Sequence, residues 1–189
     1  IRDGVALTKF IYWIKNTKNN SQSEISASYY LDNLRSKNKN FFSLSFPTIA
    51  GSGPNGAIVH YRASNKTNRK LKKDDLFLVD SGAQYFDGTT DVTRTIAFSK
   101  VTYEQKKMYT LVLKGHIAVA LSTFNEKESG KTLDRHARKF LKKEKLNFDH
   151  GTGHGVGSFL NVHESPPSIS PISKYKFKKG MVVSNEPGF

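Results

Sequence analysis

The sequence predicts an α+β fold, and three observations carry that expectation. Residues 3–15 and 24–37 place apolar side chains at helical spacing. Residues 76–79 and 91–98 read as strands, with an Asp87-Gly88 turn signal between them. Residues 103–124 and 132–146 return to a helical pattern, the second strongly basic. Helices with short, hairpin-linked strands define the α+β class.

Each element follows in turn. The first helix carries Val5, Leu7, Phe10, Ile11 and Ile14, and no N-cap residue precedes it, as if the chain began inside an element. Residues 16–23 are a polar connection. The second helix has Ile25, Tyr29 and Leu34 among its apolar positions. Residues 41–49 read as extended with Pro47 inside, and Ala57-Ile58-Val59-His60-Tyr61 as a strand. Leu76-Phe77-Leu78-Val79 is the continuous apolar run of a buried strand. Residues 150–157 are a glycine-punctuated loop. Residues 181–186 read as a strand stopped by Pro187-Gly188. There is no repeat and no clear domain boundary, so residues 1–189 are taken as one domain.

Composition narrows the function classes. The chain has 189 residues with 30 Lys+Arg against 16 Asp+Glu, a net charge of +14. Its lysines are scattered through polar stretches, without an Arg-rich stripe or an aromatic-basic module, and read as solvated surface rather than a nucleic-acid interface. The absence of cysteine excludes disulfides, a thiol nucleophile and Cys-based zinc. No apolar run approaches the roughly 20 residues that span a bilayer. The first residues do not read as a signal peptide, and a cytoplasmic setting is expected.

The chemistry concentrates in a few residues. Asp80 closes the apolar run and Asp91 opens the next strand, where a carboxylate needs a partner or a metal. A turn at Asp87-Gly88 would set Asp91 opposite Gln84, whereas a turn at Tyr85-Phe86 would set it opposite Asp80. Facing carboxylates repel, and a cation between them reverses the sign. The bland reading is a capping Asp and a surface Asp. His60, His150, His154 and His163 lie in motif-like surroundings, while His116 and His136 are assigned packing or surface roles. Gly151, Gly153, Gly155 and Gly157 forbid a helix, so His150 and His154 are not a helical zinc pair, and these glycines are expected to admit a ligand closely. Asp80, Asp91, His154 and Glu186 together make a carboxylate-rich set with one imidazole, suited to Mn²⁺, Co²⁺ or Zn²⁺. Gly51-Ser52-Gly53-Pro54-Asn55-Gly56 matches a dinucleotide fingerprint formally. Pro54 and the following strand-like residues argue for a turn instead.

Four segments, SFPTIAGSGPNGAIVHY, LVDSGAQYFDGTTDVTRT, HGTGHGVGSFLNVHESP and GMVVSNEPGF, resemble the metal-binding segments of aminopeptidase P (Xaa-Pro aminopeptidase), in particular its cytosolic multi-domain type. The resemblance implies the pita-bread (creatinase/aminopeptidase) fold, a curved antiparallel sheet flanked by helices, incomplete at both ends. It implies Asp80, Asp91, His154 and Glu186 as ligands of two divalent metal ions, usually Mn²⁺. His60, His150 and His163 fall on the catalytic and substrate-contacting histidines. The implied reaction releases the N-terminal residue from peptides with proline second, through attack of a metal-activated hydroxide. The parent enzyme is expected to be a homodimer with no nucleic-acid or membrane partner.

The resemblance also carries a departure. The family has a fifth ligand, a bridging Glu beyond the EPG segment, and the sequence stops at Phe189. Three carboxylates under-compensate two divalent ions, so the chain is expected to be a fragment that binds metal weakly, with little activity alone. Prolidase and methionine aminopeptidase share the fold, and an inactive peptide- or histone-binding relic is the non-enzymatic alternative. Cleavage of an Xaa-Pro-Pro tripeptide but not a dipeptide separates aminopeptidase P from prolidase.

Overall fold

The computed structural model describes all residues except 18–20 and 126. Part of the polar connection expected over 16–23 therefore lies outside the described residues. The chain divides into two compact units, Ile1–Val101 with Ser158–Val162, and Thr102–Gly157 with His163–Phe189.

The first unit places two helices, α1 (Arg2–Asn16) and α2 (Glu24–Ser36), with an antiparallel sheet. The strands are β1 (Phe41–Ser52), β2 (Leu76–Tyr85), β3 (Gly88–Thr89) and β4 (Val92–Ala97). β2 is central, pairing with β1 on one edge and with β3 and then β4 on the other. Its alternating burial follows from the period-2 geometry of a strand. Phe77 and Val79 point into the core, where they meet Leu7, Phe10 and Ile14 of α1 and Ala27 and Leu31 of α2. Burying a side chain of this size contributes roughly 1.5–3 kcal/mol. β1 shifts register three times, the last shift falling between Phe46 and Ile49. Pro47 lies in that irregularity, where a residue without an N–H is tolerated.

Helix α2 differs from the apolar face expected of it. Its buried residues are Glu24, Ala27, Leu31 and Arg35, while Tyr29 is exposed. Buried charge explains the rotation. Arg35 makes a two-pronged pair with Asp3 of α1, at 2.7 and 3.1 Å, and Tyr85 of β2 donates its hydroxyl to the same carboxylate at 2.9 Å. Burial, reinforced by Asp3, pushes the Tyr85 hydroxyl above its ordinary range. Ser23 and Ser26 close a reciprocal cap at the start of α2.

The expected strand over residues 57–61 is not formed. Gly53–Ala57 is a 3-10 turn opened by Pro54, and the chain turns again through His60.

In the second unit, α3 (Tyr103–Ala120) and α4 (Gly130–Lys143) pack together, and α3 ends earlier than its sequence pattern suggests. Gly115 sets their approach, since a Cβ there would stand 2.1 Å from the Ala137 carbonyl oxygen. Val119, Leu133, Ala137 and Ile169 form the core. β5 (Gly153–Gly155) pairs with β6 (Glu164–Ile169), so part of the expected glycine loop is a strand. The strand expected over 181–186 is reduced to a bridge at Val183 and a run of backbone bonds beside β5. Among the described residues, no helix is long and apolar enough to cross a membrane.

Candidate metal centre

Asp80 lies on β2, directly opposite Thr93 of β4 and Ile49 of β1. Gln84 pairs with Thr89 and Tyr85 with Gly88, so the turn is Phe86-Asp87. Neither turn position weighed from the sequence is the one adopted. Continuing the observed register sets Asp91 opposite Gly82, diagonal to Asp80 on the same face of the sheet. Diagonal neighbours stand about 7–8 Å apart, which relieves the repulsion of directly facing carboxylates.

The ladder breaks at Thr90, immediately before Asp91. The Thr90 N–H donates to the Ala83 carbonyl at 2.9 Å, but the Ala83 N–H donates back to the Thr90 hydroxyl instead of its carbonyl. The freed Thr90 carbonyl accepts from Ser45 Oγ of β1 at 2.8 Å. It also occupies the space over Gly82, where a Cβ would stand 1.9 Å from it. Gly82 and Ser45 together set the path of the backbone that delivers Asp91.

His60 sits at φ +56°, a left-handed conformation that costs a non-glycine residue about 1–2 kcal/mol. The turn that imposes it is anchored on Glu24, a fully buried carboxylate. Glu24 accepts from the Ser52 N–H at 2.7 Å, the Arg69 N–H at 2.9 Å, Asn55 Nδ2 at 3.0 Å and the Tyr61 hydroxyl at 2.9 Å. The last bond fixes the residue next to His60.

In the second unit, His154 lies on β5 with its Nε2 3.0 Å from Glu186 Oε1. Its Nδ1 lies 2.8 Å from the Gly155 carbonyl oxygen. A carbonyl only accepts, so Nδ1 carries a proton; in the metal-free chain Nε2 bonds to the Glu186 carboxylate only when it is protonated as well, so the bonded state of the pair is imidazolium and carboxylate. A histidine held through its other nitrogen by a backbone carbonyl is the usual arrangement of a metal-ligating imidazole. Ser184 fixes the pair: its hydroxyl accepts from the His154 N–H at 2.9 Å and donates to Glu186 Oε1 at 2.5 Å. Burial pushes the Glu186 carboxyl up, but its bonds with His154 and Ser184 outweigh that and hold it below the ordinary value. The ring of His163 packs edge-on against His154, with centroids 4.2 Å apart. His150 Nδ1 faces the Gly151 carbonyl at 2.7 Å, and a Cβ on Gly188 would stand 2.6 Å from its Nε2.

The glycines of this segment act differently from the sequence expectation. A Cβ on Gly153 would stand 2.0 Å from the Ser184 carbonyl oxygen, and one on Gly155 2.6 Å from that of Glu164. These two glycines let neighbouring backbone close on β5. His116 lies at the surface, with its Nδ1 2.9 Å from the Asn185 carbonyl oxygen, and His136 is half-buried, with its Nδ1 2.6 Å from Ser122 Oγ. Ser45, Thr90, Ser184 and Glu24 were not singled out by sequence, because a lone hydroxyl or acid in a polar run carries no spacing signal.

The chemistry of the expected ligands, three carboxylates and one imidazole, suits divalent cations, and with His154 Nδ1 committed to a carbonyl, Nε2 is the atom a cation would take in place of a proton. The chain belongs to metallopeptidase family M24, whose model matches residues 1–189. Among curated relatives, it is 50% identical over 195 residues to a probable Xaa-Pro aminopeptidase P of Paracoccidioides brasiliensis, covering 100% of this chain and 32% of that protein. It is 47% identical to the corresponding protein of Botryotinia fuckeliana, covering 100% of this chain and 30% of that one. The chain thus spans about a third of the length of these relatives. Among solved structures, an X-prolyl aminopeptidase from Caenorhabditis elegans, described as a cytosolic enzyme with a di-nuclear active site, superposes with TM-score 0.93 at 41% identity. That match covers 100% of this chain and 31% of the other. A prolidase from Pyrococcus furiosus superposes with TM-score 0.84 at 27% identity, covering 98% and 53%. The fold is the pita-bread α+β fold of these enzymes.

Proposed function

We propose that residues 1–189 belong to the catalytic domain of a metal-dependent aminopeptidase that removes the N-terminal residue from peptides with proline in second position. The observation that carries this reading is the His154–Glu186 arrangement, in which an imidazole held through Nδ1 and a carboxylate converge at 3.0 Å in a chain of family M24. Asp80, Asp91, His154 and Glu186 would hold two divalent ions, with Mn²⁺ the proposed metal. When bound, the two cations supply Lewis acidity and a water that is nucleophilic at neutral pH.

The remaining roles fall to the chain's own side chains. His60, His150 and His163 are proposed to contact the peptide, with His60 or His163 donating a hydrogen bond to the oxygen that gains charge as the Xaa-Pro carbonyl is attacked. The proline nitrogen carries no N–H in the substrate, so recognition rests on ring shape and carbonyl contacts. We further propose that the protein acts in the cytosol, in line with the description of the Caenorhabditis elegans relative, and that it is a homodimer.

The test is an assay of the protein that carries this chain, with Mn²⁺, on Xaa-Pro-Pro tripeptides, Xaa-Ala-Pro controls and Xaa-Pro dipeptides. Release of the first residue from the Xaa-Pro-Pro tripeptide alone supports the reading. Dipeptide cleavage alone assigns a prolidase, and cleavage of none of them by the folded, metal-loaded protein overturns it.

A further inference from the structure

Helix α4 carries a buried ion pair that the proposed chemistry does not use. Asp134 and Arg138 are 2% and 3% exposed, in a helix whose other charged side chains are mostly basic and solvated. Arg138 Nε donates to both oxygens of Asp134 at 2.9 Å. The rest of the guanidinium points away from the helix. Nη1 donates to Asn147 Oδ1 at 2.8 Å and to the Phe148 carbonyl at 2.5 Å, and Nη2 to the His150 carbonyl at 2.7 Å. The Phe148 ring lies under the guanidinium at 3.8 Å.

Asp134 reaches the same segment from the other side. Its Oδ1 accepts from the Thr152 hydroxyl at 2.7 Å. The Thr152 carbonyl in turn accepts the Glu186 N–H at 2.8 Å, and the next bond along joins the Ser184 N–H to the His154 carbonyl at 2.8 Å. One ion pair therefore holds residues 147–152 at three backbone or side-chain acceptors and one hydroxyl, and that segment sets the register of Glu186.

We infer that Asp134 and Arg138 are positioning residues, which lock the segment bearing His150 and His154 against the segment bearing Glu186. The inference rests on the proposed metal centre for its functional meaning, though not for its geometry. Stability alone does not call for such a pair, because well-packed apolar residues commonly replace a buried ion pair without loss. A planar fork with several fixed donors is what aligning a loop requires, and a lysine ammonium does not reproduce it.

The test compares the chain with Asp134→Leu/Arg138→Met, a volume-matched apolar replacement, and with Arg138→Lys. Amide hydrogen exchange is read at Ser184 and Glu186, with the amides of α4 as the internal control, and Mn²⁺ affinity by calorimetry. In both variants, α4 keeps its protection, exchange at Glu186 quickens by about tenfold, and Mn²⁺ binding weakens about 10–100-fold. Wild-type exchange at Glu186 in a folded double variant overturns the inference. If the double variant does not fold, Thr152→Val removes only the hydroxyl bond to Asp134, and the same two readouts decide. If the wild-type chain binds no Mn²⁺, the metal reading fails, and the exchange comparison still decides the positioning role.

Discussion

His154 Nε2 lies 3.0 Å from Glu186 Oε1, and the opposite ring nitrogen is committed to the Gly155 carbonyl. This relationship has a pH signature. His154 and Ser184 hold the Glu186 carboxyl below its ordinary value of 4.5 against the opposing effect of burial. A depressed folded-state value means the unfolded chain binds the proton more readily. The stabilisation is therefore complete above the unfolded value and is lost as pH falls through the folded one. In the metal-free chain, urea midpoints of wild type should fall on the acid side of that window. Glu186→Gln should flatten this acid limb, and an unchanged limb contradicts the pairing.

Gly82 and Ser45 should act on the same carboxylate from different directions. Gly82→Ala puts a methyl group where the Thr90 carbonyl sits and should cost about 1–3 kcal/mol from overpacking. Ser45→Ala removes one hydrogen bond and should cost about 1 kcal/mol. Both should weaken Mn²⁺ binding, because each releases the backbone one residue before Asp91. Denaturation and calorimetry on the two variants check this, and Mn²⁺ affinity unchanged in Ser45→Ala counts against it.

Strain at His60 separates stability from function. Replacing it with glycine relieves a left-handed backbone worth about 1–2 kcal/mol but adds unfolded-state freedom of roughly 0.5–1 kcal/mol. His60→Gly should therefore leave the melting midpoint close to wild type while sharply reducing peptide cleavage by the protein that carries the chain. A large stability loss would assign His60 to the fold instead.

Glu24 should matter more than a solvent-facing helix acid. Four donors converge on it, so Glu24→Gln forces an amide N–H₂ against at least one of them. Leaving a buried donor unsatisfied costs about 1–3 kcal/mol. Chemical denaturation measures the loss, and faster amide exchange at Ser52 and Arg69 locates it.

Much of this was legible in the sequence. The apolar run ending at Asp80 and the alternating run after Asp91 identify two paired strands, and the α1 periodicity identifies most of its buried face. What was not legible depended on long-range contacts. The turn at Phe86-Asp87 follows from the single register that β2 keeps with both β3 and β4, which local turn signals do not reveal. The buried face of α2 is set by Asp3, and Gly153 is explained by the Ser184 carbonyl. Asp134 and Arg138 did offer a local cue, an acid four residues before an arginine in an otherwise basic helix. The spacing gives the pair, but not its burial or the loop it holds.

The most direct test is Mn²⁺ binding by calorimetry to this chain and to Asp91→Ala, with circular dichroism to establish that both are folded. Wild type should bind Mn²⁺, and Asp91→Ala should lose that binding while keeping its fold. A folded wild-type chain that binds no Mn²⁺, or an Asp91→Ala chain that binds it equally well, would contradict the assignment of Asp80, Asp91, His154 and Glu186 as metal ligands.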